Sequence, residues 1–231
     1  MKKIFLSFLI ICNSLAFLNC QIPRIENIPT IITRGKAGEN RNVIAIFFSG
    51  DGGWYSLEQS IANRLSDSGI STIGIDTRKY FWNRKSPETT TSDVASLLSH
   101  FEKEWGKTQF ILIGYSQGAE IIPFVVTRLT EALKSKVLSS VMLSPETTTD
   151  FEIHVTNMLG VGNKQNTYDV IGEISGIHTI LQICIFGEKE KTNVPELLKG
   201  TQVVTVFIPG DHHYKSNSAL IVQMMKNKHA F

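Results

Sequence analysis

Gly114-Tyr115-Ser116-Gln117-Gly118 sets a serine between two glycines at the spacing of a G-x-S-x-G turn. An apolar run, residues 109–113, precedes it, and an apolar-rich helical pattern follows. In such a strand–turn–helix the serine occupies a strained turn, and the flanking glycines let strand and helix approach. The hydroxyl then stands above the sheet, with the next amide pointing at the same space. A serine can also simply cap a helix, but strand, elbow and helix together point to Ser116 as a nucleophile. That serine needs a base within hydrogen-bond reach. With an elbow of this kind the base comes late, on a loop after the last strand. Pro209-Gly210-Asp211-His212-His213-Tyr214 lies there, whereas His100, His154, His178 and His229 fall on a helix, beside an irregular stretch or near a terminus. A short Gly-x-His turn favours His212; a one-residue shift would favour His213.

The acid that orients the imidazole should follow a preceding strand end. Gly187-Glu188-Lys189-Glu190 puts Glu190 three residues after the glycine, with Glu188 next in order, and Glu146 and Asp150 lie after another strand. An oxyanion hole needs two preorganised amides, one directly after the nucleophile and one from the loop after an early strand. Gln117 supplies the first, and Ser49-Gly50-Asp51-Gly52-Gly53-Trp54 supplies the second from Asp51 or Gly52. Gly52, Gly53 and Trp54 are placed to approach substrate; without a following Lys-Ser/Thr the loop is not a P-loop. Asp76-Thr77-Arg78 offers an Asp–Arg pair that would brace the loops. Tyr80, Phe81 and Trp82 would either line an apolar pocket or plug the base of their loop.

Positioning these groups falls to a chain of alternating elements. Apolar runs at 43–48, 70–75, 109–113, 137–143, 179–186 and 203–208 predict strands buried on both faces. Leu57, Ile61 and Leu65 predict a helix closed by Gly69. Asp93 is placed to cap a second helix whose apolar face carries Val94, Leu97, Leu98, Phe101 and Trp105; 121–133 predicts a long third helix and 217–227 a closing one. Strands alternating with amphipathic helices imply a parallel, doubly wound sheet in a three-layer α/β/α domain over 43–231. The polar interval 145–178 reads as an excursion over that sheet, and residues 28–33 as an added edge strand.

Of the 231 residues, 42% are hydrophobic and 19% charged, which suits one folded domain. Lys2 and Lys3 precede an apolar run to Leu18, a pattern of export rather than of a spanning helix. Phe17-Leu18-Asn19-Cys20 resembles a lipoprotein signal with Asn19 in place of the usual small residue. This predicts cleavage after residue 19, lipidation of Cys20, and a tether over 20–42. The two lysines leave with the signal, so the formal charge of +2 falls to zero, without the basic footprint of a nucleic-acid binder. Cys12 also leaves and Cys20 is committed, so Cys184 stands alone among apolar neighbours, too few for a disulfide or a Cys-rich metal site. No metal or organic cofactor is expected.

Four stretches share an order that is recognisable. Ser49 to Trp54, Asp76 to Trp82, Gly114 to Glu120 with Pro123-Phe124, and Gly210 to Tyr214 resemble the VirJ/AcvB-type bacterial virulence-protein family, from about Val43 to the end of the chain. The resemblance implies an exported, periplasmic or membrane-anchored α/β hydrolase of the single-domain kind. It further implies a serine esterase acting on aminoacyl-phosphatidylglycerol, notably the lysyl lipid, and so a role in membrane-lipid homeostasis. Some members are linked to type IV secretion, so the rival implication is a binding or assembly factor on a hydrolase scaffold. By position Ser116 matches the family's elbow serine and His212-His213 its histidine motif; Gln117 replaces a familiar Phe and Asp211 a usual Gly. A lysyl ester would call for an acidic wall beside the oxyanion hole, and Asp51 and Glu120 are the candidates. Metabolic labelling with a palmitate analogue is expected to mark the wild type and not Cys20→Ser; a soluble, unlabelled wild-type protein discards the lipoprotein reading.

Overall fold

A computed structural model describes residues 25–153 and 168–231. The expected signal, Cys12, Cys20 and His154 lie outside the described residues. In chain order the elements are β1 (Thr30–Thr33), β2 (Val43–Phe48), α1 (Ser56–Asp67), β3 (Ser71–Ile75), α2 (Thr77–Tyr80), α3 (Pro87–Trp105), β4 (Gln109–Tyr115), α4 (Gln117–Arg128), α5 (Glu131–Lys134) and β5 (Val137–Leu143). Then come β6 (Thr148–Thr149), β7 (Tyr168–Asp169), α6 (Val170–Ser175), β8 (Leu181–Gly187), α7 (Val194–Leu197), β9 (Val204–Ile208) and α8 (Ser218–Asn227).

Seven strands form one sheet in the order β1-β3-β2-β4-β5-β8-β9, parallel throughout except for β1, which runs antiparallel along β3. The twofold period of the strands splits the apolar residues between two cores. Ile44, Ile46 and Phe48 of β2 pack with α3, α4 and α6, while Val43, Ala45 and Phe47 of the same strand pack with α1 and α8. Both faces are therefore covered, and every residue of β2 is buried. The edge strand expected over 28–33 is β1, and its register pairs Ile31 with Gly74 and Ile32 with Ile73.

Three expectations change. The helix of the Asp93 region starts nearly two turns earlier, at Ser86, whose side chain accepts from Thr89 N with Pro87 at the first helical positions. A Ser-Pro start satisfies a free amide and presets φ, so it outcompetes Asp93 as the cap. Asp93 is buried inside α3 and accepts from the Tyr80 hydroxyl at 2.6 Å. The long helix over 121–133 is two pieces, because Leu129 and Thr130 turn extended, with ψ of 143° and 151°. In the 145–178 interval the ends are not a loose excursion. Thr148–Thr149 pairs with Tyr168–Asp169, and Phe151, Val170, Ile174 and Ile177 belong to the core.

The tightest constraint lies where β4 turns into α4. A Cβ on Gly114 would sit 2.2 Å from the Gly118 carbonyl oxygen, and one on Gly118 would sit 2.3 Å from the Phe48 carbonyl oxygen. These are backbone neighbours, so no side-chain rotation relieves the clash. Gly118→Ala is expected to lower stability by about 1–3 kcal/mol, read as a lower denaturant midpoint at unchanged slope. An unchanged midpoint would show that β2 and α4 can separate at no cost.

Candidate active site

Every group singled out for chemistry follows the carboxyl end of a parallel strand, the edge where open α/β sheets carry their sites. Ser116 has φ 51° and ψ −121°, a strained conformation for a residue with a side chain. Its neighbours hold it there: its amide donates to Leu143 O at 2.9 Å and its carbonyl accepts from Ala119 N at 2.8 Å. Its Oγ lies 3.0 Å from His212 Nε2, and His212 Nδ1 lies 2.9 Å from Glu190 Oε1. Serine, imidazole and carboxylate thus form one line of hydrogen bonds.

The alternatives are placed elsewhere. The His213 ring meets the Tyr115 hydroxyl through Nδ1 at 3.1 Å. Glu188 is exposed, with its amide bonded to Ile208 O. Asp150 is buried and accepts from Glu152 N at 3.1 Å, away from the imidazole. Glu146 lines a cavity of about 830 Å³ together with Glu190, Asp211 and His212. Gln117 opens α4, where its amide has no partner within the helix and the dipole's positive end faces the serine. Its side chain donates instead to Glu152 O at 3.3 Å, tying the elbow to the segment after β6.

The loop after β2 lies against the elbow: a Cβ on Gly50 would be 3.5 Å from Ser116 Cβ. This brings the turn that carries Asp51 beside the serine. Gly53, at φ 108°, closes the turn by donating to Gly50 O at 3.0 Å. Gly52, Gly53 and Trp54 line a second cavity of about 600 Å³ with Arg78 and Trp82. The Trp54 indole covers Gly74 and donates to Gln59 Oε1 at 3.0 Å, so it forms a fixed wall. One expectation fails here, and one open alternative is decided. Asp76 pairs with Lys79 at 3.1 Å, not with Arg78, because its other oxygen already caps Lys79 N. Tyr80 and Phe81 plug the loop base against Phe48, while Trp82 lines the cavity beside the glycine turn. Glu120 is buried on α4 and lines neither cavity.

The sequence profile of the family described as bacterial virulence protein (VirJ) matches residues 42–230. The chain belongs to that family. No curated protein matches it significantly. Est1E from Butyrivibrio proteoclasticus superposes with a TM-score of 0.62 at 14% identity, covering 87% of this chain and 94% of that one. An alpha-beta serine hydrolase homologue from Coxiella burnetii gives 0.60 at 16% identity over 86% of this chain and 89% of that one. A serine hydrolase without lid from Xanthomonas campestris gives 0.58 at 13% identity over 86% of each chain. The VirJ domain has the α/β-hydrolase fold.

Several residues that hold this VirJ site together carry no motif of their own. Ser144, itself at φ 51°, donates to Glu190 Oε2 at 2.6 Å, and Gly187 N reaches the same oxygen at 3.2 Å. The fully buried Tyr214 places its hydroxyl between Ser144 Oγ and Ile185 O, 2.7 Å from the latter. Tyr115 donates to His212 O at 3.2 Å, fixing the turn that carries the imidazole. Glu58 is buried under the loop after β2, where it accepts from Tyr55 N at 3.1 Å and from Gly50 N. Burial raises its pKa against those hydrogen bonds. Its position three residues into α1 was the available signal, the acidic half of a capping box. Cys184 is a buried thiol whose pKa burial pushes up, so it is inert packing.

The same geometry sets the proton affinities. The hydrogen bond to Glu190 raises the His212 pKa above its ordinary 6.5 against the opposing effect of burial, and the charges of Glu190, Glu146 and Asp51 add to the rise. Burial raises the Glu190 pKa, but hydrogen bonds from His212 and Ser144 outweigh it and leave it low. A base must be neutral to act, so kcat/KM should climb with pH and reach half-maximum above 6.5. Glu190→Gln removes the raising contact and presents an amide N–H to Nδ1. The acid limb should then move to lower pH, with kcat reduced on the order of 10³–10⁴-fold through the wrong tautomer. His212→Ala should cost more than His213→Ala. Coincident pH profiles for wild type and Glu190→Gln would rule out this tuning.

Proposed function

We propose that this protein is an exported serine esterase that hydrolyses an aminoacyl ester of phosphatidylglycerol. The observation that carries the reading is the hydrogen-bonded line from Ser116 through His212 to Glu190. Ser116 Oγ attacks the ester carbonyl while His212 Nε2 takes its proton, and Glu190 holds the resulting imidazolium. The amides of Gln117 and Asp51 receive the oxyanion at the helix start and the glycine turn. His212 then protonates the departing alcohol, leaving the aminoacyl group on Ser116. Water, deprotonated by the same imidazole, releases the amino acid and restores the serine.

The aminoacyl part of the reading rests on the family and on charge. The cavity on the histidine side carries Glu146 and Asp211 together with Lys189 and Lys191, and Asp51 and Glu146 both act electrostatically on His212. The carboxylates of Asp51 and Glu146, whose charges reach His212, would favour a substrate with an ammonium beside its reacting carbonyl. Glu146 takes the place of Glu120 in that role. A lipidated Cys20 would hold enzyme and lipid in one interface.

Purified protein incubated with lysyl-phosphatidylglycerol should release lysine and leave the fatty-acyl esters intact. Ser116→Ala should lose this activity by on the order of 10⁴-fold or more while remaining folded. Release of fatty acid instead would make the protein lipase-like. No turnover, together with no reaction of Ser116 with a fluorophosphonate, would overturn the esterase reading.

A further inference from the structure

Two cavities lie near the serine–histidine–glutamate line. The one beyond His212 mixes Glu146 and Asp211 with Lys189 and Lys191. The other, about 600 Å³, opens beside the glycine turn and is walled by Trp54, Tyr55 and Trp82, with Asp76, Arg78 and Lys79 at its base. Its charge balance is decided by pairing. Asp76 gives one oxygen to Lys79 Nζ at 3.1 Å and the other to Lys79 N at 3.2 Å. Among the described residues this leaves Arg78 as the cavity's cation with no carboxylate bound to it. Arg78 is only half exposed, and it begins alongside the oxyanion turn: a Cβ on Gly53 would be 3.6 Å from Arg78 Cβ.

An unpaired guanidinium in a concave, aromatic-walled site is suited to one ligand class. Its planar fork matches the paired oxygens of a phosphate, and the walls lower the local dielectric, which strengthens the contact. The rim adds a second property. Tyr55 is 60% exposed and Trp82 57%; among the described aromatic residues only Phe207, far along the chain on β9, is comparably exposed, at 52%. Aromatic rings with a polar tip at a rim are favoured where one side is water and the other lipid.

We infer that this cavity is a phosphate subsite, in which Arg78 binds the phosphodiester of an amphiphilic ester while Tyr55 and Trp82 meet its apolar part. The inference rests on the esterase reading for its place in the reaction. In an aminoacyl ester of a glycerol phosphate the glycerol carbons separate the reacting carbonyl from the phosphate. The phosphate therefore needs a site beside the oxyanion turn, not within it. Arg78 is then a specificity residue on the leaving-alcohol side.

The test is a binding measurement that needs no turnover. Two of the three tryptophans line this cavity, so indole fluorescence reports on it. Full-length Ser116→Ala protein is titrated with dihexanoyl-phosphatidylglycerol below its micelle concentration, with monohexanoylglycerol, which lacks the phosphate, and with inorganic phosphate. The phosphatidylglycerol should bind at least tenfold more tightly than the phosphate-free glyceride. Adding Arg78→Gln should weaken it by about tenfold to a hundredfold, and Arg78→Lys, which keeps the charge but loses the fork, should fall between. Trp82→Ala should weaken the lipid but not inorganic phosphate. Equal binding of lipid and inorganic phosphate, still dependent on Arg78, would keep the phosphate site and assign it to a soluble phosphoester. Equal affinity for lipid and glyceride, or indifference to Arg78→Gln, overturns the inference. In that case lysine release from lysyl-phosphatidylglycerol by the wild type would still stand as a separate result.

Discussion

The contact on which the rest of this structure depends is between backbones. The start of α4 lies so close to the ends of β2 and β4 that neither Gly114 nor Gly118 has room for a methyl group. That approach forces the residue between them to φ 51°, and the hydrogen bonds of Ser116 to Leu143 and Ala119 lock it in place. Strain of this kind costs on the order of 1–3 kcal/mol and persists only because the two cores over-determine it. Its result is a hydroxyl held above the sheet edge, next to a helix start that has an amide to spare.

Around that point the charges are arranged so that one imidazole is poised and little else in the line can change its proton. Glu190 is fixed from three sides, by His212, Ser144 and Gly187, and stays ionised. Tyr214 behind it is buried, and burial raises its pKa well above 10. The raised affinity of His212 for a proton follows from this fixed anion. The turn bearing His212 is in its place because Tyr115, the residue before the serine, holds its carbonyl. Nucleophile and base are thus positioned by neighbouring residues of one strand end.

The loop after β2 is held in a comparable way from below. Glu58 reaches up from α1 to the amides of Tyr55 and Gly50, and Gly53 closes the turn on Gly50. A buried carboxylate satisfied by loop amides anchors that loop to α1. The loop also lines the cavity that holds Arg78 and three aromatic rings.

The sequence by itself determined the doubly wound sheet, the elbow at Ser116, and the late loop and strand end that hold His212 and Glu190. These are legible because apolar runs, glycine spacing and chain order are local properties of the polymer. It left open which of His212 and His213, and which of Glu190, Glu188, Glu146 and Asp150, would meet, because a one-residue shift in a turn reverses a side chain and no local rule fixes it. The tertiary structure decided that through Tyr115, Ser144 and Tyr214, none of which announces itself in a motif. It also decided that Asp93 would be buried against Tyr80, that Asp76 would pair with Lys79 and leave Arg78 to the cavity, and that Glu120 would be buried on α4. Each of these depends on which residues distant in sequence arrive at the same place, and that is set only when both faces of the sheet are packed.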